Sequence, residues 1–156
     1  MSTAHEFRCH LTWTGAKAGK PFTYDTYSRD FLAETPGKPP LPLSGAEAFK
    51  GDPAKSNPED LLVASLSACH ALTYLAICSR SKVTVLAYED EASGTLEKVG
   101  DVMKFTSVTL RPKVTLSKAD DETRALTLHE KAHHQCFIAN SVNFEVRVEP
   151  QIVVGG

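Results

Sequence analysis

Apolar and polar positions alternate through residues 6–14 (EFRCHLTWT) and 21–30 (PFTYDTYSRD), with aromatic and β-branched side chains in both, so each reads as a strand. The GAKAGK segment between them reads as a hairpin loop. Residues 33–57 carry Pro36, Pro39, Pro40, Pro42 and Pro53, which forbid a regular element over most of that span but leave room for a short edge strand at 41–44. Asn57 is a good helix N-cap and Pro58 suits the first helical position. Glu59 and Asp60 follow in the first turn, at the positive end of the helix dipole. The helix they open runs to about Arg80, and from Leu61 to Ile77 it has no Asp, Glu, Lys or Arg. A helix apolar nearly all round is buried, and one chain of this size can hardly surround it, so a partner subunit is expected to help.

Downstream, 83–92 and 95–116 read as long β stretches, with turns at Ser93-Gly94 and near Gly100-Asp101. Ser117 is placed to cap a second helix over about 118–134, with Asp120, Asp121 and Glu122 in its first turn and Leu126, His129, Ala132 and His133 on one face. CFIANSV, 136–142, is a short connector with room for one helical turn, and NFEVRVEPQIVV alternates as a final strand. The order ββ(β)–α–ββ–α–β predicts an α+β domain spanning 1–156, with too few helices for a doubly wound parallel sheet.

Composition narrows the function classes. The 156 residues are 42% hydrophobic and 23% charged, with a formal net charge of −2, which gives no electrostatic case for nucleic acid or an anionic membrane surface. Met1–Arg8 has no apolar h-region, and no run is read as approaching the roughly 20 apolar residues of a membrane span. The expected location is cytoplasmic, where a disulfide is more often catalytic or redox-sensing than structural.

Four cysteines are present, Cys9, Cys69, Cys78 and Cys136, and none forms a C-x-x-C pair. Cys9, on the first strand, is expected to pack. Cys69 sits mid-helix, where the plain reading is a small buried hydrophobe. The sharper reading is a nucleophile, which must be a thiolate. Burial in an apolar helix opposes ionisation, so a cation has to offset it. Arg29 is the nearest upstream candidate, always charged, though it also reads as a solvated strand-end residue. Glu59, about 15 Å along the helix axis from Cys69, reads as dipole compensation or as a group that holds Arg29 or reaches the site from elsewhere. Cys78 lies on the opposite helical face from Cys69. No local rule brings Cys136 to either.

The run Asn57-Pro58-Glu59-Asp60-Leu61-Leu62-Val63-Ala64-Ser65-Leu66-Ser67-Ala68-Cys69-His70 resembles the signature helix of the OsmC/Ohr family, the osmotically inducible protein C and organic hydroperoxide resistance proteins. Ala132-His133-His134-Gln135-Cys136-Phe137-Ile138-Ala139-Asn140-Ser141 resembles the family's second-cysteine motif, with Phe137 where relatives often have Pro. Tyr27-Ser28-Arg29-Asp30 looks like the place of the family's arginine. The resemblance implies an intertwined homodimer of α+β subunits with antiparallel sheets, two main helices and the cysteine helices buried at its centre. It implies thiol-dependent reduction of organic hydroperoxides, and of hydrogen peroxide in some members, in oxidative stress defence. Cys69 would be the peroxidatic thiol, Cys136 the resolving thiol, and Arg29 and Glu59 the pair that activates Cys69 and orients the peroxide. No bound cofactor is implied; an external dithiol, of lipoyl type by the resemblance, would reopen the disulfide. Leu66, Leu72, Phe137 and Ile138 are expected to surround Cys69 and favour an organic tail. His70 follows Cys69 directly, but neighbouring helical side chains diverge by about 100°, so it is not read as a general base.

Two other readings compete. His129-Glu130-Lys131-Ala132-His133 fits the zinc-protease pattern H-E-x-x-H, with Lys131 between the histidines and no evident third ligand beyond Glu145 or Glu149. A site from His129, His133 and Cys136 is its variant. The other reading is a non-enzymatic redox-sensing or small-molecule-binding protein on the same fold.

Overall fold

The computed structural model describes residues 4–15, 19 and 21–155. Most of the expected GAKAGK hairpin loop, residues 16–18 and 20, lies outside the described residues. The chain forms two compact units, Met1–Leu61 and Leu62–Gly156.

In the first unit, β1 (His10–Trp13), β2 (Phe31–Glu34) and β3 (Leu41–Leu43) make an antiparallel sheet in that order. His10 pairs with Glu34, and Phe31 with Leu43. The short strand at 41–43 is as expected. The strand expected at 21–30 is not there. Its alternation is broken by a turn in which Thr26 Oγ1 donates to Pro21 O and accepts from Thr23 N–H (3.1 Å), while Thr26 N–H reaches Thr23 O. A hydroxyl that bonds its neighbouring backbone competes with a ladder. The loop after β3 includes a 3-10 turn, Glu47–Phe49. A Cβ on Gly51 would fall 1.5 Å from Gly45 O, so glycine is required there.

Helix α1 (Pro58–Arg80) begins and ends as the sequence indicates. Asn57 Oδ1 accepts the Asp60 N–H (2.8 Å), and Asn57 Nδ2 donates to the Asp60 carboxylate (2.7 Å). An 18-residue window of α1 reaches a mean hydropathy of 1.8, enough by length and composition for a membrane-spanning helix, contrary to the expectation that no run approaches one. Leu66, His70, Tyr74, Ile77 and Cys78 nevertheless form one buried stripe.

The second unit holds two mixed sheets. One has the order β4 (Val85–Asp90), β7 (Pro112–Leu116), β9 (Gln151–Val154); the other β5 (Ser93–Val99), β6 (Val102–Leu110), β8 (Glu145–Val148). β4–β7 and β5–β6 pair antiparallel as expected, and β6–β8 and β7–β9 add two parallel pairs that make each sheet mixed. The turn at Gly100-Asp101 is as expected, with Gly100 at φ 64°, but Ser93-Gly94 starts β5 instead of turning. The 95–116 stretch and the expected final strand each break where the chain passes from one sheet to the other, the first at Arg111 and the second at Glu149-Pro150. Proline has no N–H for a ladder. Arg111 N–H donates to the Asp90 carboxylate (2.6 Å), its guanidinium to Ser93 Oγ (2.8 Å), and it pairs with Glu149 (3.3 Å). The break points of three strand pairs are thus stitched along one seam.

The second helix, α2, is Glu122–Gln135, preceded by a 3-10 turn at Ala119–Asp121. Ser117 does not cap it, and no side chain does. Its buried residues are Ala125, Leu128, His129 and Ala132; Leu126 is exposed. The connector has its single turn, Ala139–Ser141. Two cores result. Tyr74, Ile77 and Cys78 of α1 pack with α2 and with Val114 and Leu116 of β7. Leu66 packs with Val108 and Leu110 of β6 and, at their rim, Phe105, Ile138 and Phe144.

Candidate functional site

Cys69 follows Leu66 by three residues, so it lies on the flank of the buried stripe and is half-buried, while Cys78 is in the core. Thr73 Oγ1 donates to Cys69 O (2.8 Å). Cys136 ends α2 and is 1% exposed. Both are free thiols. Although 67 positions apart in sequence, they are neighbours in the fold. Burial pushes the Cys136 thiol up to about 11, and the adjacent Cys69 adds to the rise, while the backbone N–H groups of Ala139 and Ile138 pull the other way. Cys9 is exposed, not packed as expected.

Of the four apolar residues expected around Cys69, Leu66 is fully buried core and Ile138 lies at the rim of that core. Leu72 and Phe137 are strongly exposed and share an open groove of about 680 Å3 with Thr73, Ala76 and Asn140.

Arg29 is in the first unit, two residues before β2 and not at a strand end, and it is buried. Its guanidinium lies 3.8 Å over the Tyr27 ring and donates to Tyr27 O (2.6 Å) and Tyr24 O (2.5 Å). The neighbouring Asp30 does not neutralise it. Lys55 binds Asp30 at 2.9 Å and holds its carboxyl below the usual range. Arg29 Nε and Glu59 Oε2 are both buried without a partner, and among the described residues the two side chains form no ion pair.

Sequence reasoning missed a buried histidine pair. His70 Nε2 and His129 Nδ1 are 3.0 Å apart, with Tyr74 stacked on His129 at 3.7 Å between centroids. Only one hydrogen fits between the two nitrogens, so one ring donates and the other accepts. Burial lowers His70 to about 4, assisted by His133 and opposed by Asp90, and lowers His129 to about 3, assisted by His70. His129 turns its Nδ1 to His70, while its Nε2 and the Nδ1 of His133 are buried without a partner. Among the described residues no three His, Cys, Asp or Glu side chains gather to hold a metal ion. Asn140 was also missed. It donates from Nδ2 to Cys136 O (2.8 Å) and His134 O (2.9 Å). An Asn four residues after a helix-ending cysteine is a signal for such a local bond.

The family model for OsmC-like proteins matches residues 51–151. The chain belongs to the OsmC-like family. It is 34% identical to an OsmC-like protein of unknown function from Vibrio cholerae, with a TM-score of 0.86 over 94% of this chain and 99% of that one. It is 26% identical over 119 residues to the uncharacterized protein YmaD of Bacillus subtilis, covering 73% of this chain and 79% of YmaD. An organic hydroperoxide resistance protein from Elizabethkingia anophelis shares the fold, with a TM-score of 0.72 and 17% identity over 99% of this chain and 100% of that one.

Proposed function

We propose that this protein is a thiol-dependent hydroperoxide reductase acting in oxidative stress defence, with Cys69 as peroxidatic and Cys136 as resolving thiol. The observation that carries the reading is the juxtaposition of a half-buried and a buried free thiol from two different helices. Relatives of the same fold that are named as organic hydroperoxide resistance proteins add to it.

The Cys69 thiolate attacks one peroxide oxygen. The O–O bond breaks, the sulfur is oxidised by two electrons to the sulfenic acid, and the alkoxide leaves and takes a proton to become the alcohol. In this reading Arg29 polarises the peroxide, and Glu59, which forms no ion pair with it among the described residues, would orient it once the peroxide is bound. Their unpartnered Nε and Oε2 are the kind of spare donor and acceptor that such a role needs. Cys136 then forms the disulfide, and an external dithiol of lipoyl type reopens it by exchange. An organic tail would rest on Leu72 and Phe137. The working unit is a homodimer, because one chain leaves Leu72 70% and Leu75 37% exposed along α1, and its expected place is the cytoplasm.

The test is cumene hydroperoxide consumption with dihydrolipoamide as reductant. Wild type is expected to turn over many times, and Cys69→Ser to fall to the uncatalysed rate. Undiminished consumption by Cys69→Ser overturns the assignment. A single stoichiometric oxidation without turnover would make the protein a sensor instead.

A further inference from the structure

The segment after α2 is tied to the helix end by the Asn140 side chain. Asn140 N–H donates to Cys136 O (3.1 Å), and Asn140 Nδ2 donates to the same oxygen (2.8 Å) and to His134 O (2.9 Å). These bonds satisfy two carbonyls at the end of α2 that the helix itself leaves open. Ser141 reinforces the turn, with N–H to Ile138 O (2.9 Å) and Oγ to Phe137 O (2.8 Å). Inside the turn the Ile138 and Ala139 N–H groups face the Cys136 sulfur, the favourable influences on a thiolate that burial and Cys69 otherwise oppose.

We propose that Asn140 is a positioning residue for the resolving thiol: its amide ties the end of α2 to the 139–141 turn and so holds the backbone donors on the Cys136 sulfur. The inference rests on the peroxidase reading and assigns Asn140 to its second step alone. In that step the Cys136 sulfur bonds to the Cys69 sulfur while the sulfenic S–O bond breaks. The hydroxide leaves with the Cys136 proton as water, and no further oxidant is needed.

The two steps are separated on reduced protein. Cys69 sulfenic acid is captured with dimedone after one equivalent of cumene hydroperoxide, and the disulfide is counted by mass spectrometry. Asn140→Ala is expected to form sulfenic acid at the wild-type rate and to close the disulfide about 10- to 100-fold more slowly, the scale of a small misplacement of a reacting group. The rise of closure rate with pH should also move to higher pH, which a merely looser fold would not produce. Asn140→Ser, with its shorter donor, should fall between the two, and it provides the same readouts if Asn140→Ala does not fold. Closure at the wild-type rate and pH profile, or equal slowing of both steps, overturns the proposal. A parallel arm replaces the peroxide with diamide, which oxidises the two thiols to the disulfide without a sulfenic acid. If wild type closes with diamide but ignores cumene hydroperoxide, the peroxidase reading fails, and the diamide arm still decides the role of Asn140.

Discussion

Burial pushes Cys136 up to about 11, so in the proposed disulfide step it would bring its own proton. Cys136→Ser should therefore allow one oxidation of Cys69 and leave a long-lived sulfenic acid, readable as a single dimedone adduct per chain; an adduct no more abundant than in wild type would count against the resolving role. The buried histidines give a separate prediction. Both are lowered from 6.5, to about 4 and about 3, so the folded state keeps them neutral where the unfolded state takes up protons. Their contribution is complete above about pH 6.5 and is lost as pH falls toward 4, by up to about 1.4 kcal/mol per pH unit for each imidazole. Urea unfolding at a series of pH values should show that slope. It should flatten in the double variant His70→Leu/His129→Leu, which removes both polar partners together. An unchanged slope would rule the pair out as its source. At this scale the sequence made the pairing of Cys69 and Cys136 legible through their motifs, while the His70 ring, left without a role, turns to His129. The sequence could not show that partner, which is 59 positions away and joined only by the fold.

Elements with their own punctuation were easiest to read. The Asn57 cap, the acidic first turn and the long uncharged run place α1 at its observed start and end. Asn57→Ala should lower stability by about 1 kcal/mol in chemical denaturation; no change would mean that the cap contributes nothing beyond solvent. Strands were harder, because alternation says which residues could pair and not where the chain must bend. Residues 21–30 alternate but turn on Thr26. Residues 95–116 alternate through Arg111, yet the chain changes sheets there. Gly94 looked like a turn and is instead a clearance. A Cβ would meet Phe105 at 2.6 Å and Val63 of α1 at 2.9 Å. Gly94→Ala should cost about 1–3 kcal/mol by overpacking α1 against β5, measured in the same way.

For the whole molecule, the exposed side of α1 is what the proposed second subunit would cover. Its sequence is apolar on every side, but one chain covers only the stripe from Leu66 to Cys78. Leu72→Glu should convert a dimer to monomer in light scattering coupled to size exclusion, and a mass unchanged from wild type would refute the proposed interface. The fold class was legible from the order of elements, whereas the parallel pairs were not, since they join distant segments. β6 meets β8 with Ser107 opposite Glu145, and β7 meets β9 with Lys113 opposite Gln151. Partners separated by some forty residues also set an order in time, because closing such long loops costs entropy before any contact rewards it. During synthesis, hairpins such as β5–β6 can form as they leave the ribosome. Neither sheet acquires its third strand until residues 145–154 have emerged, so the nascent protein must wait, greasy helix exposed, for the segment that completes both.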